Sequence, residues 1–145
     1  MPPEKLFSIF STLVLPGWLL LVVAPRWKWT ARLICAVLVP LLLALVYLYL
    51  VATQFGQSEG GFGSLAAVSR LFQNPYNLLA GWIHYLAFDL FVGSWEVRDA
   101  QRVGLHHLLV VPCLVLTFLL GPVGLLLYFA LRFGLKRKVF VGGEA

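Results

Sequence analysis

Four stretches of the chain are apolar for long enough to matter to a bilayer: Leu6 to Ala24, Ala31 to Thr53, Tyr76 to Trp95 and Leu105 to Phe133. Runs of about 20 apolar residues match the hydrocarbon thickness when helical. The first is interrupted by Pro16-Gly17, the second by Pro40 and the fourth by Gly121-Pro122, and each interruption predicts a kink. "PRWKWT" separates the first two runs, placing cations and two tryptophans where a membrane surface would lie. Between the second and third runs stands "QFGQSEGGFGSLAAVSRLFQNP". Its Gly/Ser start predicts a flexible loop. In its second half Phe62, Leu65, Ala66, Val68, Leu71 and Phe72 are spaced for a short helix on the membrane surface, although a plain loop fits as well. The expected fold class is all-α: an integral membrane four-helix bundle with a short interfacial helix between the second and third spans. It forms one domain over residues 1–138, with 139–145 as a flexible tail.

Composition agrees. The chain has 145 residues, 61% hydrophobic and only 12% charged, with a mean hydropathy of +0.90. A soluble domain of this size needs far more polar surface. The net charge of +5 comes from cations at the ends of apolar runs rather than along one face. It therefore suggests membrane flanks and no nucleic-acid partner. Cys35 and Cys113 both lie in apolar runs and are expected to pack as small hydrophobes without a disulfide. The first run has only "MPPEK" before it and no small-x-small cleavage site, so it reads as a retained helix. No Ser/Arg-rich leader precedes it, and a prokaryotic inner or photosynthetic membrane is the expected location.

Charge leaves the orientation open. With four crossings, Arg26, Lys28, Arg32, Arg98 and Arg102 share one side, and Lys5, Arg70, Arg132, Lys136, Arg137 and Lys138 the other. Folding the fourth run back at Gly121-Pro122 would create a strong bias. However, Val123 to Phe133 makes only about 16 Å of helix, roughly half a bilayer. A single kinked, tilted helix is the simpler reading.

The chemistry concentrates in "HYLAFDLFVGSWEVRDAQRVGLHH", His84 to His107. Ionisable residues inside a membrane are costly and are functional candidates by default. On a helix, Trp82, Tyr85, Asp89, Gly93 and Glu96 share one stripe, while Asn77, Gly81 and His84 share another. His84 and Asp89 are about 140° apart round the axis, so each needs a partner on a neighbouring helix. His106, Cys113, Thr117, Gly121, Gly124 and Tyr128 form a stripe on the fourth run. A short connection makes the two helices antiparallel neighbours, which predicts His106 near Glu96, Asp99 and Asp89. Arg98, Arg102 and Arg132 are available to neutralise the carboxylates. Three readings of this pocket stay open: an ion-pair network fixing helix register, a metal site, or acid/base chemistry on an apolar substrate. No HxxxH or HExxH spacing is present, so no metal or other cofactor is expected. A metal, if bound, would draw on His84, Asp89, Glu96, Asp99 and His106.

The same stretch, with "VPCLVLTFLLGPVGLLLYFALR" after it, closely resembles the abscisic-acid-deficient-four family, small membrane proteins of plastids, cyanobacteria and other bacteria. The likeness runs from about Leu6 to Lys138. The strings "FDLFVGSWEVRDAQR" and "TFLLGPVGLLLY" are specific. Plant members are required to make neoxanthin, an allenic carotenoid, from the epoxide violaxanthin. The resemblance implies a membrane-embedded carotenoid-modifying isomerase of bacterial type. It points to His84, Asp89, Glu96, Asp99, Arg98, Arg102 and His106 as motif positions. The implied partners are a carotenoid or other polyene lipid and membrane lipids, with self-association left open. Asp89 is the expected base and His84 the expected acid, with Arg102 and Glu96 tuning them. Phe88, Phe91, Trp82, Tyr85 and Tyr128 are candidates to line a polyene groove. A non-catalytic carotenoid or lipid carrier, a metal-dependent enzyme on an apolar substrate, and a channel or transporter subunit are the competing classes.

Overall fold

In a computed structural model the described residues, 1–136, are helical apart from short connections. Helix α1 spans Pro3–Val23. A π-helical segment, Thr30–Leu38, runs directly into α2, Val39–Gln54, and ends in the 3-10 turn Phe55–Gln57. Then come α3, Leu65–Leu71, α4, Pro75–Val103, α5, His107–Leu120, and α6, Pro122–Lys136. Three of these runs are long and apolar enough to cross a membrane: Pro3–Val23, Thr30–Gln57 and Pro75–Val103. The expected tail, 139–145, and the cations Arg137 and Lys138 lie outside the described residues.

The wide π-turns have a local cause. Pro40 offers no N–H, and its ring would collide with the carbonyl four residues earlier. Widening the preceding turns relieves this, so Val39 N–H bonds to Ile34 O and Ile34 N–H to Trp29 O at 2.9 Å. Helix α3 begins where Ser64 Oγ accepts from Ala67 N–H at 3.1 Å. The linker around it is pinned by Ser58, whose hydroxyl accepts from Asn74 Nδ2 at 2.8 Å and Asn77 Nδ2 at 2.7 Å.

Helix α4 is the hub. It packs against α1, α2, the π-segment and α5, and also touches α6. Val14, Leu21, Leu43, Ile83, Leu90 and Leu114 are buried in the shared core. Leu19, Leu41, Leu45, Leu48, Leu119 and Leu126 are exposed, as lipid-facing positions should be. In lipid such side chains gain little by leaving the solvent, so close packing and interhelical hydrogen bonds hold the helices together.

Two boundaries differ from expectation. The third apolar run continues as helix through the charged segment to Val103, because Glu96 and Asp99 face protein rather than water. The larger correction concerns the fourth run, which is not one kinked helix. It breaks at Gly121, whose φ of 40° and ψ of −92° leave the helical region, and α6 turns back along α5. The chain returns so far that Arg132 reaches Asp99, near the C-terminal end of α4. A Cβ on Gly124 would sit 2.1 Å from the Thr117 main-chain nitrogen, so only glycine permits so close a hairpin. Each arm is about 21–22 Å long at helical rise, too short to span a bilayer.

The hairpin settles the charge distribution that four crossings left even. Gln101 Nε2 donates to Pro25 O at 2.6 Å, tying the α1–π-segment loop to the end of α4. Arg26, Lys28, Arg32, Arg98, Arg102 and Lys136 therefore share one end, against Lys5 and Arg70 among the described residues at the other. The positive-inside rule predicts that a cation-rich end of this kind lies on the cytoplasmic side of a membrane or its equivalent. Single cysteines replacing Arg26 and Lys136 should label with an impermeant thiol reagent from one side, and Gly63→Cys from the other. The native thiols, Cys35 and Cys113, are both buried and give low background. Labelling of Lys136→Cys together with Gly63→Cys would restore the fourth crossing.

Candidate functional site

The acidic stripe of α4 is where the hairpin is held. At its base, Asp99 Oδ2 accepts from Arg132 Nε at 2.7 Å and from the Tyr128 hydroxyl at 2.6 Å, both on α6. Asp99 Oδ1 pairs with Arg102 one turn along α4. The Asp99 and Arg132 side chains are each 1% exposed, so this is a buried ion pair in which hydrogen bonds complete the carboxylate. Higher up, the Thr117 hydroxyl of α5 donates to Glu96 Oε1 at 3.0 Å. The other Glu96 oxygen, Oε2, is buried without a hydrogen-bond partner.

At the hairpin tip the stripe ends on Asp89, the midpoint of α4. A Cβ on Gly121 would lie 2.9 Å from Asp89 Oδ1 and 3.2 Å from Oδ2. The carboxylate is thus pressed against the bare α-carbon of the turn, and its Oδ2 is buried with no hydrogen-bond partner. Tyr85, one turn earlier and beside Asp89, donates to the Phe118 carbonyl at 2.9 Å. It stacks on Trp82 at 5.1 Å, and Trp82 Nε1 donates to Ser11 Oγ on α1 at 2.9 Å.

Two apolar hollows flank this point. One of about 630 Å³ lies between the start of α1 and α4, lined by Phe7, Leu78, Trp82 and Tyr85. Another of about 600 Å³ lies between α1 and α5, lined by Pro16, Trp18, Leu114 and Phe118. The Tyr85–Phe118 hydrogen bond joins the wall of one to the wall of the other.

The structure therefore brings Asp89, Glu96, Asp99 and Arg102 onto one hairpin-facing seam and leaves the other candidates elsewhere. His84 faces α2, with its ring 5.9 Å from Tyr47 and 4.6 Å from Phe88. It lines a separate hollow of about 260 Å³ near α3. His106 is the exposed residue before α5 and borders the cleft between the 22–27 segment and the end of α4. The expectation that it meets Glu96 and Asp99 fails, because α6 returns to fill that place with Tyr128 and Arg132. Its neighbour His107 contacts Val22 O through Nε2 at 2.9 Å. Arg98 donates from Nε to Ser94 O at 3.2 Å and lies toward Arg32. Of the expected groove aromatics, Phe88 and Phe91 are exposed and Tyr128 is in the ion-pair cluster. Among the described residues no three His, Cys, Asp or Glu side chains converge as a metal site. The sequence marks Gly121 as a kink and a member of the stripe on the fourth run but not as the turn that meets Asp89, and it gives no sign of the Phe118 carbonyl. The Gly-Pro dipeptide was the available signal.

With this geometry in view, the comparisons are specific. The sequence profile described as ABA DEFICIENT 4-like matches residues 5–128, which takes in Asp89, Glu96, Asp99, Thr117, Gly121 and Tyr128. Over 139 residues the chain is 26% identical to "Protein ABA DEFICIENT 4, chloroplastic" of Arabidopsis thaliana, covering 89% of this chain and 61% of that protein. The chain thus spans about three-fifths of that relative's length. No solved structure matches.

The cluster at Asp99 predicts a graded loss of stability. Tyr128→Phe removes one hydrogen bond to a buried charge and should cost about 1.5–3 kcal/mol. Asp99→Asn also breaks the ion pair and should cost more, about 3–5 kcal/mol. Thermal unfolding in detergent measures both. Variants as stable as the parent would show that the hairpin is held by something else.

Proposed function

The chain belongs to the ABA DEFICIENT 4-like family, and from that premise we propose that it is a carotenoid-modifying membrane protein that rearranges an epoxide end group to an allene. The observation that carries the reading is Asp89: a carboxylate at the midpoint of α4, with an unpartnered oxygen, one turn from Tyr85, which lines one apolar hollow and bonds to the Phe118 carbonyl at the wall of another. Unpartnered polar groups at that depth are expensive and are kept where they do work on a ligand or proton.

The reaction conserves atoms. The epoxide C–O bond breaks as its oxygen gains a proton. A proton leaves a neighbouring polyene carbon, and the electrons of that C–H bond become the second double bond of the allene. A base and a proton donor at an apolar slot are sufficient in outline. Asp89 is the base in this reading. His84, the donor expected from the sequence, lies toward α2, so the donor nearest Asp89 is the Tyr85 hydroxyl. Glu96 and the Asp99 cluster hold the hairpin that presses Gly121 against Asp89. Violaxanthin-to-neoxanthin conversion is the reaction type that this reading takes as its model. The expectation of a bacterial-type member and a prokaryotic membrane gains no support from a chloroplast relative. The hollows also suit a second reading, a protein that binds a carotenoid or polyene lipid without changing it.

Purified Asp89→Asn should unfold near the parent temperature and convert an epoxycarotenoid about 10²- to 10⁴-fold more slowly, the usual loss for a missing general base. Tyr85→Phe should also be slow, and His84→Gln nearly unaffected. The reverse pattern, with His84→Gln inactive and Tyr85→Phe active, would return the acid role to His84. Retention of pigment with no conversion by the parent protein would support the non-catalytic reading.

A further inference from the structure

The cation-rich end holds a second site that the acidic seam does not use. The loop after α1 and the first π-turn bring Arg26, Lys28 and Arg32 around a hollow of about 110 Å³, closed on the α4 side by Arg98 and Gln101. That is several times the roughly 10–15 Å³ needed by one water and far smaller than the apolar hollows. Among the described residues no carboxylate lies within 4.0 Å of any of these four cations, since both ion pairs involve Asp99 with Arg102 or Arg132. Arg32 and Arg98 are close enough to repel. Lys28 Nζ stands 5.1 Å from the Trp29 ring, a contact that leaves its charge unneutralised. Arg98 spends Nε on the Ser94 carbonyl, which fixes the guanidinium against the helix.

Four cations gathered without an acid are held together against their mutual repulsion, and a bound anion removes that cost. Trp27, 51% exposed, lines the hollow, and Trp29, 45% exposed, stands beside Lys28, as rings do at headgroup level. Three guanidinium forks suit a tetrahedral oxyanion better than a planar or monatomic one.

We propose that Arg26, Lys28, Arg32 and Arg98 form a receptor for a phosphate-type oxyanion at one membrane surface, with an anionic lipid headgroup as its source. Such a lipid would clamp the α1–π-segment loop to the end of α4, where Gln101 already holds Pro25 O.

The test uses the full chain purified in detergent and moved to phosphate-free buffer. Binding of phosphatidylglycerol, phosphatidylcholine and inorganic phosphate is measured by native mass spectrometry and by thermal shift. The parent should bind phosphatidylglycerol at least about tenfold more tightly than phosphatidylcholine. Arg32→Gln with Arg98→Gln should lose about ten- to thirtyfold of that affinity. Arg26→Gln with Lys28→Gln, both exposed and outside the core, should do the same and guards against misfolding of the first pair. Lys5→Gln with Arg70→Gln removes equal charge from the opposite end and should change nothing. Inorganic phosphate binding as tightly as the lipid would keep the oxyanion site but make a soluble anion its ligand. No preference of the parent for phosphate-bearing anions, or equal losses in all three double variants, would overturn the proposal.

Discussion

The buried pair between Asp99 and Arg132 sets the geometry of the rest. It joins the C-terminal end of α4 to the last turns of α6, and with Tyr128 it fixes where the returning arm of the hairpin ends. In a low-dielectric setting each ion alone would be costly, and together they repay that only when every lone pair and proton is used. Asp99 meets the condition with two partners on α6 and one on α4. A buried pair of this kind is a weak source of net stability but a strong selector of register. Sliding α6 by one turn would separate the charges by about 5.4 Å.

Register at the base determines the contact at the tip. Because α5 and α6 touch so closely at Gly124 and Thr117, the hairpin behaves as a rigid wedge. Its length then places Gly121 against Asp89, with no room between them for a methyl group. The polar contacts along the wedge change in character with depth. They are complete at Asp99, half complete at Glu96, where one oxygen has Thr117 and the other nothing, and incomplete at Asp89. An unpartnered oxygen at half depth is tolerable only if the elements carrying it are held elsewhere, and the Asp99 cluster supplies that hold.

Much of this was legible in the sequence, and the failures share a cause. The apolar runs, the helical class and the separation of His84 from Asp89 follow from helical periodicity. Of the stripe His106, Cys113, Thr117, Gly121, Gly124 and Tyr128, the last four contact α4 or the other arm of the hairpin, while His106 is exposed. What periodicity cannot reveal is a change of chain direction. Gly121-Pro122 fits either a kink or a turn, and the choice depends on whether Arg132 finds a buried acid, a contact 33 residues apart in sequence. A straight run makes His106 the natural partner for Asp99. Folding the run back supplies nearer partners and leaves His106 at the surface. The π-turns before Pro40 escaped for a different reason: a proline predicts disturbance but not its form.

The folded-back run also explains how one small chain keeps two kinds of polar chemistry apart. A fourth crossing would carry Arg132 and Lys136 to the surface opposite Arg26, Arg32 and Arg98. The hairpin returns them to the same surface, where headgroups and water can meet the exposed cations, and it spends Arg132 inward on Asp99. The acids Asp89, Glu96 and Asp99 all point into the wedge, and the cations Arg26, Lys28 and Arg32 all stand outside it. Attraction between the two sets is thereby confined to Asp99 with Arg102 and Arg132. Asp89 is left, at the depth of the apolar hollows, without a cation within ion-pair distance among the described residues. A guanidinium paired with Asp89 would hold the carboxylate in place by charge and occupy its Oδ2. The wedge holds it by shape instead, which leaves Oδ2 without a hydrogen-bond partner.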